Sequence, residues 1–220
     1  MNAKHNTLLS QLSDTAYQRL APHWQLVTLT QNDKLCVAGE GLSEVYFPLD
    51  ASLALQHELP NGCEMQTALI AQDGMLGTGL LCDGPYFDHA LVRTPGQAVR
   101  MPLQSLMDLA TDDDEVMLQF YGEAVRVFQH MARNLACQSR HALLSRVAKA
   151  LLTGMVTPEA DATALANCLG ATPSVMSQAL TDLQAAQALE LDGEHIARLN
   201  LEHLQRLACE CVTNSSQSLM

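Results

Sequence analysis

The sequence predicts an α+β chain in three parts: an N-terminal antiparallel β-roll, a long dimerisation helix and a C-terminal winged helix-turn-helix. Three observations carry this prediction. Between Trp24 and Pro102, short apolar runs alternate with breaks rich in Gly, Pro, Asn and Asp, the texture of many short antiparallel strands. From Asp114 to Leu152 there is no proline and one glycine, Gly122, while apolar side chains recur at alternating three- and four-residue steps. That is the seam of a helix packed along its length. After Ala162, two short helical patterns flank Leu169-Gly170 and lead into a hairpin signal at Asp192-Gly193, which makes a winged helix. The expected domains are residues 1–112, the roll with its N-terminal helices; 113–152, the long helix; and 153–220, the winged helix.

Composition bounds the function. Of 220 residues, 48% are hydrophobic and 16% charged, so the chain buries a core and is not disordered. The opening Met1–Asp14 is polar, and no signal peptide is expected. No window approaches the roughly 20 apolar residues of a membrane span. Seven widely spaced cysteines do not make a disulfide framework and suit a reducing cytoplasm. Net charge is −12, from 12 basic and 24 acidic residues. Neither half of the chain is basic, whether counted up to Arg140 or after it. A positive face of the kind that grips phosphates is therefore hidden or missing.

In chain order, Leu8, Leu9, Leu12, Tyr17, Leu20 and Ala21 keep a helical period over Thr7–Pro22, with Ser13 or Asp14 as a cap. Strands are expected over Trp24–Leu29, Leu35–Val37, Val45–Phe47, Leu53–Leu59, Met65–Ile70, His89–Val92 and Ala98–Met101. Asp112, Asp113, Asp114 and Glu115 open the long helix, where its dipole favours negative charge. Its predicted interface is Met117, Tyr121, Ala124, Phe128, Met131 and Leu135, with Gln138 the one polar position and Ala142 continuing the seam. A lone helix of this kind suits a parallel dimer; the alternative is that the same face packs on its own domain. Thr153-Gly154 to Glu159 reads as a hinge. Gly170 ends the first short helix in a left-handed turn, and Thr172 caps the second, which starts with Pro173. Val175, Met176, Ala179, Leu180 and Leu183 form its expected buried stripe. Asn200 caps a last helix over Leu201–Cys211, and Asn214–Met220 reads as a frayed tail.

Roll, long helix and winged helix in this order resemble the Crp/Fnr family of bacterial transcription regulators. The likeness covers nearly the whole chain. Gly39-Glu40, Val45-Tyr46-Phe47-Pro48, Asn61-Gly62 and Asp73-Gly74-Met75-Leu76-Gly77 stand where that family keeps turn glycines and strand aromatics. Leu165-Ala166, Leu169-Gly170 and Leu180-x-x-Leu183 match its winged helix, and Ala208-Cys209-Glu210-Cys211 resembles the ending of many members that bind no cyclic nucleotide. The resemblance implies a cyclic-nucleotide-binding-like roll that senses a signal, a homodimer, and double-stranded DNA bound by the second helix of the motif in the major groove.

Three departures sharpen the expectation. Cyclic-nucleotide members use a Gly-Glu-Leu and an Arg-Ser/Thr-Ala segment. Here Gly77 is followed by Thr78 and the later segment reads Asp88-His89-Ala90, an acid facing the phosphate. Cyclic AMP or GMP is not the expected effector; Gly77, Thr78, His89, Arg93 and Arg100 are the candidate effector residues, with Phe120–Phe128 of the helix as the apolar wall. Oxygen-sensing members carry closely spaced N-terminal cysteines, and this chain has none before Cys36 and no Cys-x-x-Cys. Cys209 and Cys211 are too few for a cluster from one chain, and the scattered histidines select no ligand pair. No cofactor and no metal site is read from the sequence. Finally, where the family's recognition helix carries Arg and other basic residues, this chain has Pro173, Gln178, Thr181 and Asp182. No Lys or Arg lies between Ala150 and Ala197.

Candidate DNA contacts are then Thr172, Ser174, Ser177, Gln178 and Thr181, since Gln and Ser hydrogen-bond base edges. Phosphate contacts fall to Arg140, Arg146, Lys149 or Arg198. The alternative keeps the fold and drops the DNA: a sensor or adaptor acting through another protein. No enzyme is expected, because no Ser or Cys nucleophile has a positioned base and Gly74-x-x-Gly77-x-Gly79 lacks the following Lys-Ser/Thr of a phosphate loop.

Overall fold

The computed structural model describes residues 2–60, 64–77, 86–156, 160–193 and 195–212. The chain divides into two compact units, Met1–His57 with Ala68–Met131 and Ala132–Met220 with Glu58–Thr67.

The first unit begins with two short helices, α1 (Thr7–Gln11) and α2 (Asp14–Leu20). Ser13 caps α2 by accepting from the N–H of Ala16. Asn6 does more. Its side-chain oxygen accepts from the N–H groups of Leu8 and Leu9 at the start of α1. Its amide donates to the carbonyls of Pro48 at 3.0 Å and Gly74 at 2.9 Å. One buried side chain thus caps a helix and satisfies two loop carbonyls, which burial would otherwise leave unpaired.

Among the described residues seven strands follow: β1 (Gln25–Leu29), β2 (Lys34–Cys36), β3 (Glu44–Pro48), β4 (Ser52–Glu58), β5 (Glu64–Ile70), β6 (His89–Thr94) and β7 (Gly96–Pro102). They form two sheets, β1-β7-β3 and β2-β6-β4-β5, each strand expected from the sequence falling on one of them. Gly96 between β6 and β7 has no room for a side chain: an added Cβ would lie 2.8 Å from the backbone nitrogen of Ala51. Two apolar clusters fill the unit. One, inside the roll, holds Leu53, Leu55, Ile70, Leu76, Ala90 and Val92. The other joins the N-terminal helices to Val45, Phe47, Val99 and Met101.

Two helical features depart from expectation. A helix α3 (Leu103–Asp112) follows β7 directly and buries Leu106, Leu109 and Ala110; its period merges with the acidic run in the sequence and hides it. The long helix is also two helices, α4 (Asp114–Arg140) and α5 (Leu143–Leu152). His141 still closes on the carbonyl of Cys137, but Ala142 is extended, at φ −59° and ψ 147°. Neither glycine nor proline stands there, so local propensity does not account for the break. The seam therefore ends with α4, and Ala142 is not part of it. Asp113 caps α4, accepting from the N–H groups of Glu115 and Val116.

In the second unit, α5, α6 (Ala162–Leu169), α7 (Pro173–Ala185), the hairpin β8 (Leu189–Asp192) and β9 (His195–Leu199), and α8 (Leu201–Leu207) surround one core. Gly170 takes the left-handed conformation, φ 60°, and its N–H returns to the end of α6, as a glycine at this cap should. Gly193 does the same for the hairpin, at φ 64°. Thr172 holds the cap position of α7, but its hydroxyl makes no capping bond and faces Ser174 instead. Met176, Ala179, Leu180 and Leu183 are buried as expected, whereas Val175 is 54% exposed. It lies about 100° round the helix from Met176, past the edge of the core. The helix expected over Leu201–Cys211, α8, stops at Leu207 because Ala208 is extended. The Asn61-Gly62 turn and the Asn214–Met220 tail lie outside the described residues.

Replacing Asn6 by alanine should lower unfolding free energy by about 1–3 kcal/mol, read as a lower denaturant midpoint. Ser10→Ala, a substitution at an exposed hydroxyl that bonds only within α1, should change it little.

Candidate nucleic-acid interface and sensor residues

The face of α7 opposite its core carries uncharged polar groups and one acid, with Val175 and Ala185 also exposed. Thr172, Ser174, Ser177, Gln178 and Thr181 are all exposed. Ser177 donates to the carbonyl of Pro173 at 3.0 Å and Thr181 to that of Ser177 at 2.9 Å, the back-bonding usual for helical hydroxyls. Gln178 donates to Asp182 one turn on, at 2.9 Å. Each group keeps acceptor capacity outward, and Gln178 keeps one N–H. Beside α7 a groove of about 320 Å³ is lined by Leu143, Leu144, Val175, Gln178 and Asp182.

Basic side chains that would grip phosphate are mostly engaged elsewhere. Arg146 donates to the carbonyl of Leu169 at 3.0 Å, covering the C-terminal end of α6. Lys149 is buried, 5% exposed, and its ammonium donates to Asn134 at 3.1 Å. Arg198, on β9, lies 3.7 Å from Glu190 across the hairpin. Arg140 is exposed at the end of α4.

The candidate effector residues are not gathered around one space. Ala90 and Val92 of β6 face the roll interior, so strand alternation turns His89 and Arg93 to the opposite side. His89 accepts from the N–H of Ala38 at 3.1 Å. Arg100 belongs to the other sheet, where it pairs with Glu44 at 3.1 Å and also contacts Gln25. Gly77 is buried in a turn at φ 137°, and Thr78 lies outside the described residues. The expected apolar wall also divides. Phe120 is buried, while Phe128 is 70% exposed. Asp88 sits 2.9 Å from His57.

Helix α4 shares its faces unequally. Val116 and Phe120 are buried in the first unit, and Met117 and Met131 pack against its two clusters. Glu123 is buried at 2% exposure. Its carboxylate accepts from the N–H of Met75 at 3.3 Å and from Arg126 at 2.8 Å, and Arg126 also grips Asp73. Burial pushes the Glu123 carboxyl up to about 7, against the pull of Arg126. The opposite face leaves Leu118 (70%), Tyr121 (51%), Val125 (56%), Phe128 (70%) and Leu135 (66%) exposed. Of the six interface residues expected, Tyr121, Phe128 and Leu135 lie on this stripe. Met117 and Met131 are turned inward, Ala124 is half-buried, and Leu118 and Val125 take their place. The adjacent stripe, one residue on, has the same spacing, which is why the sequence did not separate them.

No protein-family model matches the sequence, and no curated protein matches it. Solved structures do. A transcriptional regulator of the CRP/FNR family from Thermus thermophilus superposes with a TM-score of 0.69 at 18% identity, over 84% of this chain and 98% of that one. FixK2 from Bradyrhizobium japonicum gives 0.66 at 19%, over 84% and 98%. A crp/fnr-family protein from Eubacterium rectale gives 0.77 at 14%, over 93% and 98%. The fold is that of the Crp/Fnr regulators. At these identities the likeness speaks for architecture. No helix among the described residues is long and apolar enough to cross a membrane.

Because the folded state holds the Glu123 proton up to about pH 7, well above the ordinary 4.5, it binds more protons than the unfolded chain between those values. Stability from this group therefore falls as pH rises through that window. Wild type should lose unfolding free energy relative to Glu123→Gln from about pH 4.5 to 7 in chemical denaturation. A gap that does not change with pH would contradict the raised value.

Proposed function

We propose that the chain is a homodimeric transcription regulator of the Crp/Fnr kind, pairing along α4 and presenting α7 to the major groove of promoter DNA. The observation that carries this is α7 itself. It is the second helix of a helix-turn-helix, its core side fully apolar, its outer side bearing Ser174, Ser177, Gln178 and Thr181 uncovered. Gln178 and Ser177 are suited to base edges. This reading takes a signal other than a cyclic nucleotide, supported by the segment Asp88-His89-Ala90, in which Asp88 is paired with His57.

The stripe from Leu118 to Leu135 supports the dimer. Side chains spaced three and four apart and left in water on one helix face gain about 1.5–3 kcal/mol each on burial against a second copy. Phe128→Glu or Leu135→Glu should give a monomer in sedimentation equilibrium; a dimer unchanged by both would place the interface elsewhere.

A second reading keeps the dimer and drops the DNA, so that the chain works through contacts with another protein. It is favoured by the engagement of Arg146 and Lys149 inside the unit and by Asp182 on the outer face of α7. Selection from random and genomic DNA fragments at about 50 and 200 mM salt separates the two. Under the first reading a palindrome is enriched. With Arg140 and Arg198 from each protomer as the phosphate contacts, log affinity falls against log salt with a slope of about −4. Asp182→Asn tightens binding, and Gln178→Ala relaxes sequence choice. No enrichment at the lower salt, with the dimer intact, selects the second reading.

A further inference from the structure

Four side chains capable of holding a metal meet in the second unit. Cys137 and His141 are four residues apart at the end of α4, and that spacing sets both on one helix face. Beyond α8, where Ala208 is extended, Cys209 and Cys211 return to the same place. One ligand atom from each of Cys137, His141, Cys209 and Cys211 lies within 4.8 Å of the others. The sulfurs of Cys137 and Cys209 are 3.6 Å apart, and that of Cys211 is 3.7 Å from Nδ1 of His141.

The last two of these distances match the edges of a metal tetrahedron. Zinc bonds of about 2.3 Å to sulfur and 2.0–2.1 Å to nitrogen, at tetrahedral angles, require roughly 3.8 Å between two sulfurs and roughly 3.6 Å between sulfur and nitrogen. Both observed edges fall within about 0.2 Å of these values. Three cysteines and a histidine form one of the closed, four-coordinate sets typical of structural zinc.

The surroundings complete the arrangement. Nε2 of His141 lies 3.2 Å from a carboxylate oxygen of Glu210. An Nε2–H donated there leaves the Nδ1 lone pair facing the sulfurs, the carboxylate-histidine pairing common beside zinc. Three thiolates and a neutral imidazole around Zn²⁺ carry one net negative charge. The ammonium of Lys149, buried in the same unit, supplies a positive charge beside that set. A cation also removes the cost that burial sets on ionising these thiols.

We propose that Cys137, His141, Cys209 and Cys211 bind one structural zinc ion, which fastens the segment after α8 to the joint between α4 and α5. The break at Ala142, which local sequence does not explain, lies beside this site. The zinc holds the base of the winged helix in place and takes no part in chemistry, since all four positions are filled by protein.

The test uses the full chain purified under reducing conditions. Elemental analysis should find one zinc per chain. Adding one equivalent of Co²⁺ to the stripped protein should produce the sulfur-to-cobalt charge-transfer band and the visible bands of a tetrahedral thiolate site. Cys209→Ser and Cys211→Ser should each weaken Co²⁺ binding at least tenfold, and Glu210→Gln by about tenfold. Because a ligand variant can unfold, the wild-type protein provides a second measurement: chelation should lower the melting temperature, and zinc should restore it. No charge-transfer band in folded, reduced wild type would overturn the proposal. So would undiminished Co²⁺ binding in a variant carrying both Cys209→Ser and Cys211→Ser, iron in place of zinc, or metal content that stays at zero after full reduction.

Discussion

A helix of 27 residues cannot be covered on every side by one small roll, and the way α4 divides its faces governs the rest of the molecule. Its rotation is set by the inward contacts of Val116 and Phe120 and by Glu123, whose carboxylate meets Met75 and Arg126 while Arg126 holds Asp73. A buried carboxylate is costly unless it is paired and hydrogen-bonded, so this network admits little rotation. Once Glu123 points inward, Leu118, Val125 and Phe128 must point outward. An apolar stripe in water follows from a polar contact on the other side of the helix.

Charge is distributed by a similar constraint in the second unit. A small winged helix has several helix ends to satisfy and few cations with which to do it. Arg146 covers the last carbonyls of α6, and Lys149 is drawn inside beside Asn134 and Cys137. Both are thereby lost to an external anion. The result is a helix-turn-helix whose outward helix offers hydroxyls, an amide and one carboxylate. Such a surface would depend on base-edge and shape recognition more than on phosphate attraction, and its association with DNA would be slower and less salt-sensitive than that of a basic relative.

The proposed zinc site shows where sequence reading loses sight of chemistry. Cys137-x-x-x-His141 is visible as a helical pair once the helix is known, and Cys209-x-Cys211 as a pair of thiols. Neither pair alone is a site. Cys137 and Cys209 are 72 positions apart, and the four helices α5 to α8 and the hairpin between them decide by their packing whether the pairs meet. The same limit applies to the sensor residues. His89, Arg93 and Arg100 are close in sequence, yet one lost or gained residue in a strand turns a side chain to the opposite face, and two sheets separate them here.

What the sequence determined by itself was whatever follows from local period and backbone permission. The strands between Trp24 and Pro102, the buried stripe of Met176, Ala179, Leu180 and Leu183, and the turns at Gly170 and Gly193 were all legible, because a two- or 3.6-residue repeat and a positive φ are properties of neighbouring residues. Tertiary structure alone decided the choice between the Met117-Ala124 and Leu118-Val125 stripes, the break at Ala142 and the exposure of Val175. It alone also buried Lys149 and brought four ligating side chains together. Each of these depends on which surface another element covers, and that is settled by packing between residues far apart in the chain.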